Sequence, residues 1–306
     1  MRDVIIIGGG PAGLAAALTL GRAHRDVLLL DADEGRNATA DAVHNLFGHD
    51  GTPPAELRRL AAEQVKPYES VELRRTPVPG AHRTPAGTFA AGDERARRLL
   101  LATGLKDDLP AIAGLPGLWG RSAFHCPYCH GHEVTGTRVS VIGAGPDRVR
   151  LALHLTRFTS GLTLSTHGAP LAPDARDLLA RHGVPVRCEP ITRLEGRSGR
   201  LDQIVYESGA PAPADAVFVK TTLAQRSPLA AGLGCAAFPD ATVRVDEFCR
   251  TSVPGVYAAG DMARRATVPM PFAAVIAAAA SGTIAAGALD QDLLSEDFAL
   301  PAPFTP

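Results

Sequence analysis

The stretch Val4-Ile-Ile-Ile7-Gly8-Gly-Gly10-Pro11-Ala12-Gly13 runs from an apolar strand, through spaced glycines, into a helix continued by Leu14, Leu18 and Leu20. Each glycine has its own task at that spacing. Gly8 permits the tight turn, Gly10 lets a pyrophosphate approach the backbone, and Gly13 lets helix and sheet pack closely. The helix N-terminus, opening at Pro11 and Ala12, offers free N–H groups and the positive end of a dipole to the phosphates. A second strand, Asp26–Leu30, ends at Asp31, eighteen positions after Gly13 and close to the place of a ribose-binding acid. Strand, glycine turn, helix, strand and acid together predict a dinucleotide-binding unit.

Further strands and turns repeat the theme. After a polar loop and an expected helix around 54–64, Arg98-Leu-Leu-Leu-Ala102 runs into Thr103-Gly104, a strand feeding a small-residue turn as in a parallel sheet. The Pro- and Gly-dense segment 110–120 reads as a linker. Arg138-Val-Ser-Val-Ile142 then opens a second unit, with the turn Gly143-Ala-Gly145-Pro-Asp-Arg148 and a helix through 151–158. The chain is expected to leave that unit around 238–245 and return to the first sheet through Val256–Ala259, which delivers Gly260 and Asp261 to its carboxyl end. A last helix, beginning at 271–274, directs more backbone N–H groups to the same place. The expected fold class is α/β, with two Rossmann-like, three-layer nucleotide-binding domains. The first is split over 1–112 and 241–306, and the second, 113–240, is inserted into it.

Between the two glycine turns lies Phe124-His-Cys126-Pro-Tyr-Cys129-His130-Gly-His132-Glu133. Where thiols stay reduced, a C-x-x-C pair is more often catalytic or metal-binding than a structural staple. Its position points to thiol–disulfide chemistry beside a bound redox cofactor. Cys-x-x-Cys-His is also the attachment signal of c-type haem, but no export segment is apparent. Cys126, Cys129, His130 and His132 could form part of a zinc knuckle, but no second C-x-x-C lies nearby, and no metal is expected. His44 and His49 read as satisfied loop histidines. Cys188, Cys235 and Cys249, isolated in sequence, read as small core residues.

Bulk composition narrows the partners. Lys and Arg total 31 against 32 for Asp and Glu, with no run of either sign, so neither nucleic acid nor an anionic membrane surface is indicated. The N-terminus, with Asp3 and the glycine turn, does not read as a signal peptide, and a cytoplasmic location is expected. Residues 272–289 are long enough to span a bilayer but are mostly Ala and Gly, and read as a buried helix allowing close backbone approach.

The Gly8/Gly10/Gly13 turn, Ala102-Thr103-Gly104, the C-x-x-C before a second Rossmann unit, and Gly260-Asp261 occur together in this order. In that combination the whole chain resembles the low-molecular-weight thioredoxin reductase family of flavoproteins. The resemblance implies FAD in the split domain, Asp31 on the adenosine ribose, Asn45 of the His44–Gly48 loop beside the flavin, and Asp261 on the ribityl–phosphate portion. It also implies a redox-active disulfide between Cys126 and Cys129, and a homodimer.

Several departures narrow the branch. Arg148 stands where the second glycine turn of a reductase ends in a small residue, and its bulk is expected to hinder close helix–strand packing. The stretch Leu162–Gly168 lacks the paired arginines that hold the 2′-phosphate of NADPH. His130 replaces an Asp after the second cysteine. Ala273-Ala274-Val275 replaces an Arg-Gln-Ala start of the last helix, leaving flavin contacts at Ala273 and Ala274 to backbone. Cys-Pro-Tyr-Cys-His-Gly with a degraded nicotinamide site is similar to the FAD-dependent dithiol oxidases, including those that close the disulfides of gliotoxin and holomycin. That likeness implies a small-molecule dithiol, or a redox protein, as partner and dioxygen as acceptor. Cys126 would be attacked by substrate, Cys129 would face the flavin, and His130 would move protons. The alternatives are a reductase fed by NADPH or another donor, and a flavin redox sensor without turnover.

Overall fold

A computed structural model describes residues 1–304. Two compact units emerge: 1–38, 54–106 and 223–304 form the first, and 39–53 with 107–222 form the second. The loop 39–53 therefore groups with the second unit, and 223–240 with the first.

In the first unit, strand β1 (Arg2–Ile7) leads through the glycine turn into helix α1 (Pro11–Arg22), and the chain returns as β2 (Val27–Asp31). β1 lies between β2 and the long strand Glu94–Leu101, parallel to both. Val256–Ala258 is parallel to the end of Glu94–Leu101, and Val71–Arg75 flanks β2. Val4 and Ile6 face one apolar layer and Ile5 and Ile7 the other. Covering both faces explains why β1 is a continuous apolar run rather than an alternating one.

The last helix spans Val275–Phe298, starting after the expected 271–274, because Ala274 is its extended N-cap (φ −146°). Among the described residues no helix is long and apolar enough to cross a membrane. Its small residues serve the backbone approach expected of them: Gly282 sits against α1, and a methyl there would come within 2.7 Å of the Ala12 carbonyl carbon. Gly282→Ala is therefore expected to cost about 1–3 kcal/mol by forcing the helices apart. Thermal unfolding should read this as a lowered Tm.

In the second unit five parallel strands run in the order Val186–Arg187, Leu162–Ser165, Val139–Ile142, Ala216–Phe218, Ala123–Phe124. An antiparallel layer, Ile191–Arg197, Arg200–Tyr206 and Ala212–Pro213, packs with it. Segment 110–120 corrects the linker expectation. Ile112, Leu115 and Leu118 are buried in this unit's core, and Leu194 N–H donates to the Ala113 carbonyl at 2.8 Å. Its prolines and glycines shape a packed turn, with Gly114 at φ +86° where a Cβ would meet the Leu194 backbone.

Candidate active site

The first glycine turn is a shaped backbone cradle. Gly8 adopts φ +112°, and a side chain there would meet the Ala102 carbonyl carbon at 2.6 Å and the Thr103 nitrogen at 3.0 Å. A methyl on Gly13 would collide with the Gly8 carbonyl oxygen, so this glycine sets the helix–strand distance. Gly10 alone of the three has nothing within 4 Å of a would-be Cβ, leaving open space over the turn. No side chain caps α1 and its first turn carries no acid, so its N-terminus keeps its dipole for an outside anion.

Other expected cofactor residues of this unit gather around the cradle. The Gly9 N–H donates to Asp31 Oδ1 at 2.9 Å, fixing the carboxylate at the end of β2. Gly260 (φ +79°) brings its Cα region close to Ala12 and Ala278, and its N–H donates to Ser281 Oγ at 2.8 Å. Thr103 Oγ1 donates to the Met262 sulfur at 3.4 Å. Asp261 is paired with Arg36 at 2.9 Å, a partner that sequence reading missed because 225 positions separate them. Open space at Gly10, an uncapped helix end and a fixed acid fit a dinucleotide: Gly10 to Gly13 would meet the pyrophosphate and Asp31 a ribose. Ala273 and Ala274 lie at the start of the last helix. Asn45 lies in the second unit, in the left-handed region at φ +59°, where its N–H donates to Asp50 at 2.6 Å.

The sulfur site lies at the end of the edge strand Ala123–Phe124. Cys126 caps a single helical turn, Pro127–His130, and is joined by a disulfide to Cys129, Cα to Cα 5.4 Å. Pro127 presets the turn's first φ, and the Gly131 N–H closes on the Pro127 carbonyl at 2.8 Å. Histidines and aromatic rings pair around it. Trp119 stacks on His125 at 5.6 Å, Phe124 on His130 at 4.3 Å, and Tyr128 meets His154 edge-on at 5.2 Å.

His130 departs from the proton-mover expected of it. Burial, with like charge from His125 and His44, pushes its pKa down to about 4, and its Nδ1 is buried without a hydrogen-bond partner. At neutral pH it is an uncharged ring against Phe124. Because the folded pKa lies below the unfolded value of about 6.5, its contribution to stability is complete above that value and is lost as pH falls toward about 4. The loss is at most about 3 kcal/mol. His130→Phe should flatten this part of the curve of unfolding free energy against pH.

His44 is a partnered loop histidine, as expected. Its Nδ1 lies 3.5 Å from Asp50 and its Nε2 3.5 Å from Glu133, four residues after Cys129. Of the isolated cysteines, Cys235 and Cys249 are buried as expected, and burial pushes the Cys249 thiol up to about 11. Cys188 is exposed instead, with Arg176 Nη2 at 3.1 Å from its sulfur. No metal-ligand cluster occurs among the described residues.

The second glycine turn differs from the first. Gly143 has φ +121°, but a Cβ there would meet Arg148 Cγ at 2.9 Å, so the arginine stem lies over the turn. Arg148 has not prevented the helix Pro146–Leu155 from forming; it covers the turn instead. The Asp147 carboxylate sits 2.6 Å from a Cβ on Gly145. Beyond Leu162–Ser165, His167 Nδ1 accepts the Ile191 N–H at 2.8 Å.

Residues 2–282 match the model of one family, described as pyridine nucleotide-disulphide oxidoreductase. The chain belongs to that family. Its members are flavoproteins, and the chain is an oxidoreductase of the class acting on sulfur groups. The thioredoxin reductase-like resemblance is borne out by relatives of that name. "Thioredoxin reductase tcpT" of Claviceps purpurea is 34% identical over 277 residues, 85% of this chain and 86% of the relative. Among solved structures, a putative thioredoxin reductase TrxB from Bacillus anthracis superposes with TM-score 0.90 at 30% identity, covering 97% of this chain and 100% of that one. The structure of HlmI superposes with TM-score 0.89 at 35% identity, covering 97% and 94%. The two-Rossmann α/β architecture is thus that of its family.

Proposed function

We propose that this oxidoreductase is an FAD-dependent dithiol oxidase, which closes a disulfide in a small dithiol with dioxygen as the final acceptor. The observation that carries the reading is the contrast between the two glycine turns. One is open above Gly10, while the other is covered by Arg148 and carries the Asp147 carboxylate where a pyrophosphate would approach. Electrons then enter through sulfur rather than through a nicotinamide.

In this reading the first unit holds FAD, through Gly8, Gly10, Pro11, Ala12 and Gly13 at the pyrophosphate, Asp31 at the ribose, and Ala102–Gly104, Gly260, Asp261, Ala273 and Ala274 around the remainder. Bound there, the flavin supplies a two-electron acceptor that dioxygen can reoxidise. The chain's own part is sulfur chemistry. A substrate thiolate attacks Cys126, Cys129 leaves as thiolate, and the substrate's second thiol resolves the mixed disulfide. Cys129 is then the sulfur that hands on the electron pair, and Cys126 recloses the bond. His130, neutral and stacked on Phe124, shapes the wall beside the sulfurs. Exposed Ile276 and Ile284, eight residues apart on the last helix, support a homodimer.

The test is oxygen uptake by purified protein supplied with dithiothreitol. About one peroxide per dithiol consumed is the expected result; a single reduction that then stops would replace the oxidase with a redox sensor.

A further inference from the structure

We propose that His44 is a positioning residue for the sulfur chemistry: clamped between Asp50 and Glu133, it holds the proton that a substrate dithiol gives up as the Cys126–Cys129 bond opens. The inference rests on the dithiol reading above and adds a residue to it.

When a dithiol reduces the site, two substrate S–H bonds break and a substrate S–S bond forms. The Cys126–Cys129 bond breaks, and two electrons and two protons arrive at the site sulfurs. The proton cannot travel with the sulfur. A substrate thiol has to ionise before it attacks, and its proton needs a holder until Cys129, leaving as thiolate, takes one back. His130 is poorly suited to hold it, since its half-buried ring is stacked on Phe124 and its Nδ1 has no hydrogen-bond partner.

His44 has what His130 lacks. A carboxylate oxygen faces each of its ring nitrogens at 3.5 Å. Ionised carboxylates only accept hydrogen bonds, so only a ring carrying both N–H groups can donate to both. The clamp joins the loop to the disulfide turn. Asp50 is held by the Asn45 N–H at 2.6 Å within a loop whose ends pair at Val43 and Thr52, and Glu133 belongs to the turn that follows Cys129 and His130. The charged and titratable groups around it are Asp50 on its own loop, Glu133 after the helical turn, and His130, itself faced by His125. Like charge from His44 lowers the pKa of His130, so the two rings lie close enough to sense each other's charge.

The test follows the first half-reaction alone. Flavin-loaded protein is mixed with dithiothreitol without oxygen, quenched with iodoacetamide, and the newly alkylated Cys126 and Cys129 are counted by mass. His44→Gln is expected to slow site reduction by about ten- to a hundredfold near neutral pH. The deficit should shrink toward about pH 9, where substrate thiols ionise unaided. Glu133→Gln should give a smaller loss with the same pH dependence, and it carries the test if His44→Gln does not fold. No loss, or an equal loss at every pH, overturns the proposal, since a merely structural role does not depend on proton supply. If wild-type protein carrying flavin is not reduced by the dithiol at any pH, the dithiol reading fails and this inference fails with it. Normal wild-type reduction with an unaffected His44→Gln sinks this inference alone.

Discussion

Cys129→Ser is expected to keep the fold and the flavin colour while losing dithiol-driven oxygen uptake by on the order of a thousandfold or more. Cys126 and Cys129 are bonded across one helical turn with Cα atoms 5.4 Å apart, so the pair can open and close without moving the chain that carries it. A serine at 129 leaves Cys126 as a lone thiol. A lone thiol offers no S–S bond for a substrate thiolate to break, and therefore no route for an electron pair. Cys126→Ser should lose activity to a similar extent, yet leave Cys129 free. The single cysteine of each variant should be alkylated without prior reduction, whereas the wild-type pair should resist until a dithiol is added. Retention of activity within about tenfold in Cys129→Ser would mean that the substrate passes electrons without the pair.

What was legible in the sequence was what local backbone chemistry dictates. Gly8, Gly10 and Gly13 announce the turn because each is required by neighbours within a few positions, and the same holds for Cys126, Pro127 and Cys129 in their helical turn. Burial and pairing supplied by distant segments were not legible. Segment 110–120 looks like a connector until the strand Ile191–Arg197 arrives to cover Ile112, Leu115 and Leu118. In sequence His130 reads as an ordinary imidazole, because the burial that drives its pKa down is tertiary and His44, whose charge adds to it, lies 86 positions away. The pairing of His44 carries no sequence signal for the same reason, since its second carboxylate, Glu133, lies 89 positions on, beyond the first-unit segment 54–106. Asp261 could be foreseen at a strand end; its arginine, Arg36, carried no signal of that pairing.

NADPH is expected to bleach the flavin at least about a hundredfold more slowly than dithiothreitol under anaerobic conditions, at concentrations where an ordinary nicotinamide site would saturate. Two independent deficits lead there. A charge-assisted hydrogen bond to phosphate contributes about 1.5–3 kcal/mol, so the absence of two arginines after Ser165 removes about 3–6 kcal/mol, or roughly two to four decades of affinity. The turn itself adds an obstacle, because Arg148 covers Gly143 and the Asp147 carboxylate stands beside Gly145. Arg148 does not simply substitute for the missing cations: its Nε lies 3.3 Å from Asp147, which also pairs with Lys220 at 3.3 Å. Arg148→Gly should therefore uncover the turn without restoring nicotinamide reduction, since residues 166–168 still supply no arginine pair and Asp147 is freed of one of its two cations. Rapid bleaching of wild-type protein by NADPH would return the chain to the reductases and make sulfur the exit for electrons rather than their entrance.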